Sequence, residues 1–134
     1  MAVKVFSALP LPSRYKKWAS GTVVSSGSQG TFTYLSGATT GKYYLSVSGL
    51  GFRPTFIYVF YSNGTTETYI SVYSEIGGDL YSKPVKVVNA FNTSTGSWST
   101  FHFKGDINPC SIQKGSFTIP VQTGSSSYKW LAVD

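Results

Sequence analysis

Hydrophobic and polar residues alternate along most of the chain from Trp18 onward, in short runs separated by Gly, Ser, Asn and Thr. Alternation with a period of two is typical of β-strands, and no window of about 11 residues shows helical spacing. We predict nine strands: Lys17–Val24, Thr31–Tyr34, Lys42–Val47, Thr55–Tyr61, Thr66–Tyr73, Val85–Asn89, Ser97–Lys104, Ser116–Pro120 and Tyr128–Val133. Short strands at this spacing predict an all-β fold, an antiparallel β-sandwich that resembles a jelly roll.

Turn residues indicate how the chain is organised. The pair Asn63-Gly64 is the strongest signal, because both residues tolerate positive φ, and it predicts a tight hairpin between the fourth and fifth strands. Pro10 and Pro12 interrupt any regular ladder near the start, so residues 1–16 are predicted to form an extended N-terminal arm. Residues 17–134 are then long enough to form a single β-sandwich domain with one core.

The strand predicted at Thr55–Tyr61 is apolar on both of its faces. One face carries Phe56, Tyr58 and Phe60, and the other carries Ile57, Val59 and Tyr61. A strand of this kind is either a central strand covered on both sides or part of a subunit interface.

The next strand predicts a candidate contact surface. Its polar face carries Glu67, Tyr69 and Tyr73, and the aromatic residues Trp98 and Tyr81 follow further along the chain. Tyrosine and tryptophan bury a large area in protein contacts and can stack on sugar rings. The alternative is that these side chains only stabilise a solvated sheet through cross-strand pairing.

The composition narrows the classes of function. Only 12% of the residues are charged, against about 25% in an average domain, and 21 Ser and 14 Thr supply polarity instead. The net charge of +6 favours acidic partners, but the basic residues cluster only at 14–17, so we predict no role in nucleic-acid binding. No apolar run approaches the roughly 18 residues of a membrane span.

Few residues in the chain could support catalysis. A serine nucleophile would need His102, the one histidine, and Asp106 is the nearest carboxylate, at a spacing that gives no triad. Glu75 and Asp79 could form a glycosidase pair, although solvation of a turn explains them better. Cys110 is the one cysteine, so no intrachain disulfide can form and an inert thiol is expected. We predict no catalytic residues, no metal site and no cofactor.

Four segments resemble a module found at the C-terminal ends of bacteriophage and prophage tail and tail-fibre proteins. The segment 47–59, with Gly49, Gly51, Phe52 and Pro54, resembles the turn that leads into a hydrophobic strand of that module. The segments 115–119 and 128–133 are similar to its closing pair of strands, and 18–22 resembles its opening strand. From the residues alone, the glycines permit a bend, Phe52 can cap the core and Pro54 fixes the entry into the strand.

The resemblance implies a non-enzymatic structural or host-recognition module of a virion tail. It implies a homo-oligomer, with a trimer favoured, whose partners are other tail proteins and host cell-wall polysaccharide. We expect synthesis in the bacterial cytoplasm without a signal peptide, because residues 1–6 do not form an apolar signal segment. The alternative is a carbohydrate-binding or cell-surface adhesion domain.

Overall fold

A computed structural model describes residues 17–62, 68–76, 85–92, 95–104 and 110–134, with only the backbone described at 68–76 and 85–92. The predicted N-terminal arm, the Asn63-Gly64 turn, Glu67, Tyr81 and Asp106 lie outside these residues.

The described residues form ten strands and no helix, which confirms the all-β prediction. The strands are β1 Trp18–Val24, β2 Gly30–Thr33, β3 Thr39–Ser48, β4 Phe56–Ser62, β5 Thr68–Ile76, β6 Val85–Asn92, β7 Ser97–Lys104, β8 Ser111–Gln113, β9 Ser116–Val121 and β10 Ser127–Val133. The expected count of nine was one too low, because no strand was predicted between Lys104 and Ser116, where the three-residue strand β8 lies. With no helix in the described ranges, none is present there that could cross a membrane.

The strands pair into two antiparallel sheets. The six-stranded sheet has the order β1-β10-β4-β5-β6-β7, and the four-stranded sheet has the order β2-β3-β9-β8. β4 and β5 pair directly, with Ser62 opposite Thr68, which confirms the antiparallel pairing expected on either side of the Asn63-Gly64 turn.

Buried side chains of both sheets form one hydrophobic cluster. Leu45 and Ile119 contribute from the four-stranded sheet, and Ile57, Val59 and Ala132 contribute from the six-stranded sheet, all with no solvent exposure. Aromatic rings connect the sheets at two points, since Phe32 meets Phe103 edge-on at 5.7 Å and Phe117 meets Trp130 edge-on at the same distance. The period-two pattern of these strands therefore places one face of each sheet in a shared core.

The two apolar faces of strand β4 differ in how far they are buried. Ile57 and Val59 are completely buried on the core side, whereas Phe56, on the other side, is 39% exposed. β4 lies between β10 and β5. β4 is therefore a central strand, as one alternative expected. It is not covered on both sides within this chain, because Phe56 is exposed on the face away from the core.

Candidate functional site

The sheet register places the predicted contact residues on two different faces. Tyr69 and Tyr73 stand opposite Tyr61 and Ile57, on the side of β4 that carries the core. Trp98 stands in the row that runs through β6 and β5 to Phe60, on the other side, where its side chain is exposed. Directly opposed residues share a face. The register therefore does not bring Trp98 together with the two tyrosines.

The predicted turn motif joins two of the segments that carry the family resemblance. Gly49 has a φ of 80°, in the left-handed region that favours glycine, and Phe52 and Pro54 are buried. The Leu50 amide donates to the Gly115 carbonyl, and the Gly115 amide donates to the Phe52 carbonyl, each at 3.0 Å. The turn before β4 and the turn between β8 and β9 thus hold each other in place.

Exposed apolar side chains concentrate on the side of the six-stranded sheet that faces away from the core, which we call the outer face. Among the side chains that the structure describes, five large apolar ones are exposed, and all five lie on this face: Trp18, Val24, Phe56, Trp98 and Leu131. The strand pattern explains this arrangement, because β1 and β4 carry apolar residues at the positions that alternate with their core residues.

Three rows of directly opposed residues cross all six strands on the outer face. The first row is Trp18, Val133, Phe56, Ser74, Val87 and His102; the second is Ser20, Leu131, Tyr58, Val72, Asn89 and Thr100; the third is Thr22, Lys129, Phe60, Ile70, Phe91 and Trp98. Lys129 is the one Lys, Arg, Asp or Glu residue in these rows. Between β1, β10 and β4 the outer face holds a depression of 420 Å³, lined by Ser20, Tyr58, Phe60 and Lys129 together with Trp130 and Leu131.

A second concave site lies beside β7, where the turn between β2 and β3 approaches the sheet. This aromatic groove has a volume of 510 Å³ and is lined by Tyr34, Leu35, Ser36, Thr100, Phe101 and His102. Its lining combines the rings of Tyr34 and Phe101, three hydroxyls and an imidazole, and none of the described residues that line it is a carboxylate. Small-molecule sites typically have this volume and this mixture of aromatic surface and a few polar groups.

Backbone hydrogen bonds position the two walls of the aromatic groove. The Leu35 amide donates to the His102 carbonyl at 2.8 Å, and Tyr34 forms a β-bridge with Phe103. Gly37, with a φ of 98°, closes the turn by donating to the Tyr34 carbonyl at 2.9 Å. The turn between β2 and β3 is therefore attached to β7, the outermost strand of the other sheet.

Aromatic stacking connects the groove to the core. The Tyr34 ring stacks on Phe103, with centroids 5.2 Å apart, and on Phe101 at 6.2 Å. Phe103 is buried, whereas Tyr34 and Phe101 are half-buried, so these two rings retain partly accessible surfaces. The Lys42 ammonium lies 5.0 Å from the Phe101 centroid, which places one positive charge beside the groove.

Of the residues considered for chemistry, the structure describes the side chains of His102 and Cys110. His102 is exposed on the edge strand β7, and Cys110 is buried in the core without a disulfide bond. Within the ranges that the structure describes, no three His, Cys, Asp or Glu residues approach closely enough to hold a metal ion. The carboxylate of Asp106 lies outside those ranges, so its predicted failure to form a triad with His102 stays a prediction.

The sequence did not identify the groove, because Tyr34 and Phe101 meet only through the contact of a turn with a distant strand. The nearest signal was the Phe101-His102-Phe103 alternation, which places a polar residue between two aromatic ones on an edge strand. The groove can accept a small neutral ring, and the outer face can accept another apolar surface. In comparisons with known proteins, the chain matches no family model, no curated protein and no solved structure.

Proposed function

We propose that this protein is a non-enzymatic structural and host-recognition module of a phage or prophage tail, and that it binds host cell-wall polysaccharide through the aromatic groove. The observation that carries the recognition role is the half-buried pair of rings, Tyr34 and Phe101, placed beside uncharged hydrogen-bonding groups. The tail assignment is supported by the resemblance of the segments that include Gly49 and Gly115, whose turns bond to each other.

A β-sandwich is the architecture that we propose for this module. The chain passes between the two sheets four times, after β1, β3, β7 and β9, and both sheets contribute to one core. The interleaved strands β1, β10 and β4 in one sheet and β3 and β9 in the other support a jelly-roll-like arrangement. The antiparallel meander from β4 to β7 extends the six-stranded sheet beyond these interleaved strands.

A sugar ring suits the groove better than a cationic small molecule does. The apolar face of a pyranose can lie on an aromatic ring, whose surface carries negative charge density, while its hydroxyls bond to neutral donors and acceptors. Ser36, Thr100 and His102 provide such groups along the groove. A cationic ligand would meet Lys42 beside Phe101 and a net charge of +6 on the chain.

The recognition role is tested on a printed array of bacterial surface glycans. We expect the wild-type chain to bind, and Phe101→Leu to weaken binding by about 2- to 10-fold, because leucine keeps the apolar packing and removes the stacking surface. Tyr44→Leu is the matched control, since Tyr44 is also half-buried but does not line the groove. Failure of the wild type to bind any glycan, or equal binding by the Phe101 and Tyr44 variants, would contradict the proposal.

The same groove also favours a second candidate, an independent carbohydrate-binding or cell-surface adhesion domain. The two functions differ in assembly, because a tail module is expected to form a stable homo-oligomer, and the resemblance favours a trimer. Light scattering coupled to size-exclusion chromatography distinguishes them. A glycan-binding monomer would favour the adhesion domain, and a glycan-binding oligomer would favour the tail module.

A further inference from the structure

The outer face of the six-stranded sheet carries exposed apolar side chains at positions where a solvated face of an antiparallel sheet usually carries polar ones. Such a face normally carries polar residues that alternate with core residues. Here Trp18 is 67% exposed, Val24 64% and Trp98 62%, and Phe56 and Leu131 are also exposed. Single exposed apolar residues are ordinary, whereas their concentration on one face marks an interaction site.

We propose that the outer face is an interface between copies of this chain. The proposal rests on the assembly part of the proposed function, since a tail module must associate with its own copies. The aromatic groove shares Thr100 and His102 of β7 with the first two rows of this face, so the experiment below changes a residue on β1, at the opposite edge of the sheet.

The dimensions of the face suit a stable contact. Six strands spaced about 4.8 Å apart and three rows about 6.7 Å apart give an area of roughly 29 Å by 20 Å, or nearly 600 Å² in projection. An ordinary stable interface buries about 800 Å² of accessible surface per partner, and accessible surface exceeds projected area where side chains protrude. The outer face therefore offers enough surface for association with one neighbouring copy.

The charge pattern favours a second copy over a different partner. Lys129 is the one Lys, Arg, Asp or Glu residue in the three rows, so the face carries no field that would select an oppositely charged protein or an anionic membrane. A largely apolar face with a single charge is complementary to itself, and two sheets pack face to face at about 10 Å. A self-complementary patch joins two copies about a two-fold axis, so the contact proposed here forms a dimer rather than the trimer that the resemblance favours.

The depression on the outer face makes two copies complementary in shape as well as in polarity. It lies between β1, β10 and β4, and Ser20 lines it beside Tyr58 and Leu131. Trp18, the most exposed of the large apolar side chains, stands two residues away on the same strand. A protruding ring next to an apolar depression allows each copy to receive a side chain of the other.

The experiment places a charge in this depression. Ser20 is exposed, so Ser20→Arg should leave the fold intact but position an uncompensated guanidinium in the contact. Ser46→Arg is the matched control, because Ser46 is an exposed serine in the middle of β3, in the other sheet. Sedimentation equilibrium of the full chain gives the association constant, and the melting temperature at low concentration reports folding.

We expect an oligomeric wild type, an unchanged Ser46→Arg variant, and association weakened at least about 100-fold in Ser20→Arg, because the guanidinium would occupy the depression that receives a side chain of the other copy. Leu131→Thr, which keeps a strand-forming residue, should weaken association in the same direction. A monomeric wild type, or an oligomer unaffected by Ser20→Arg, would overturn the proposal. Glycan binding is measured separately on the same samples, so failure of the interface and failure of the recognition role can be distinguished.

Discussion

Tyr128 illustrates how burial of one residue affects the whole fold. Its side chain is only 1% exposed, and its ring packs 5.0 Å from that of Tyr61. The hydroxyl accepts from the Thr123 amide at 3.2 Å and donates to the Thr123 carbonyl at 3.5 Å. Burial raises the pKa of Tyr128 above 10.0, because the phenolate would lose its hydration, while the hydrogen bonds to Thr123 act in the opposite direction.

This pKa shift predicts a loss of stability in alkaline solution. Below a pH of about 10, Tyr128 is neutral in both the folded and the unfolded chain, and its contribution is fully present. Above that pH the unfolded chain ionises first, so the free energy of unfolding falls by at most about 1.4 kcal/mol per pH unit until the pH passes the raised pKa. Urea unfolding of wild type and Tyr128→Phe between about pH 9 and about pH 11 should show a smaller decline in the free energy of unfolding for the variant. Parallel declines would contradict the shift.

The loops at one end of the molecule show how elements are joined by close packing of small residues. Ser25, just after β1, is buried, and its hydroxyl donates to the Thr123 carbonyl at 2.7 Å and accepts from the Ser126 amide at 3.0 Å. Gly124 lies in the same loop as Ser126, and a Cβ atom there would overlap the Tyr43 ring. A side chain at this position would therefore require the Tyr43 ring and the nearby Ser26 carbonyl to shift.

Gly124→Ala is predicted to destabilise the fold by about 1–3 kcal/mol, the usual cost of overpacking. Gly51→Ala is the matched control, because a Cβ atom at Gly51 meets nothing within 4 Å and its φ is outside the left-handed region. The control should change stability by no more than about 0.5 kcal/mol. Chemical denaturation of both variants measures the difference, and equal stabilities would show that the Tyr43 ring moves aside at little cost.

Among the strands, the sequence could predict those whose local residue pattern and tertiary environment both favour a strand. β7 was predicted at its observed limits, Ser97–Lys104, because its alternation and its flanking turn residues are both local. β3 begins at Thr39, three residues before the predicted start at Lys42, because residues 39–41 pair with β2. β8 and the aromatic groove depend on distant partners, so no local pattern indicated them.

For the molecule as a whole, the question is whether the two sheets unfold together. Phe103 belongs to β7 in the six-stranded sheet, yet it meets Phe32 of β2 edge-on at 5.7 Å and Tyr34 by stacking at 5.2 Å. Its side chain is only 1% exposed. One residue of the larger sheet is thus embedded among residues of the smaller one, and a shared core of this kind couples the stability of both.

We therefore predict that Phe103→Ala lowers the free energy of unfolding by about 3–5 kcal/mol and that both sheets lose stability together. The tryptophans Trp18, Trp98 and Trp130 all lie in the six-stranded sheet, so their fluorescence reports on that sheet. Hydrogen exchange of the β3 and β9 amides reports on the other sheet. Ser48→Ala, an exposed change in β3, is the control and should leave both probes unchanged. If Phe103→Ala shifted the fluorescence midpoint but left the exchange of β3 and β9 unchanged, the sheets would be separate cooperative units, because a single core cannot lose one wall and keep the other at full stability.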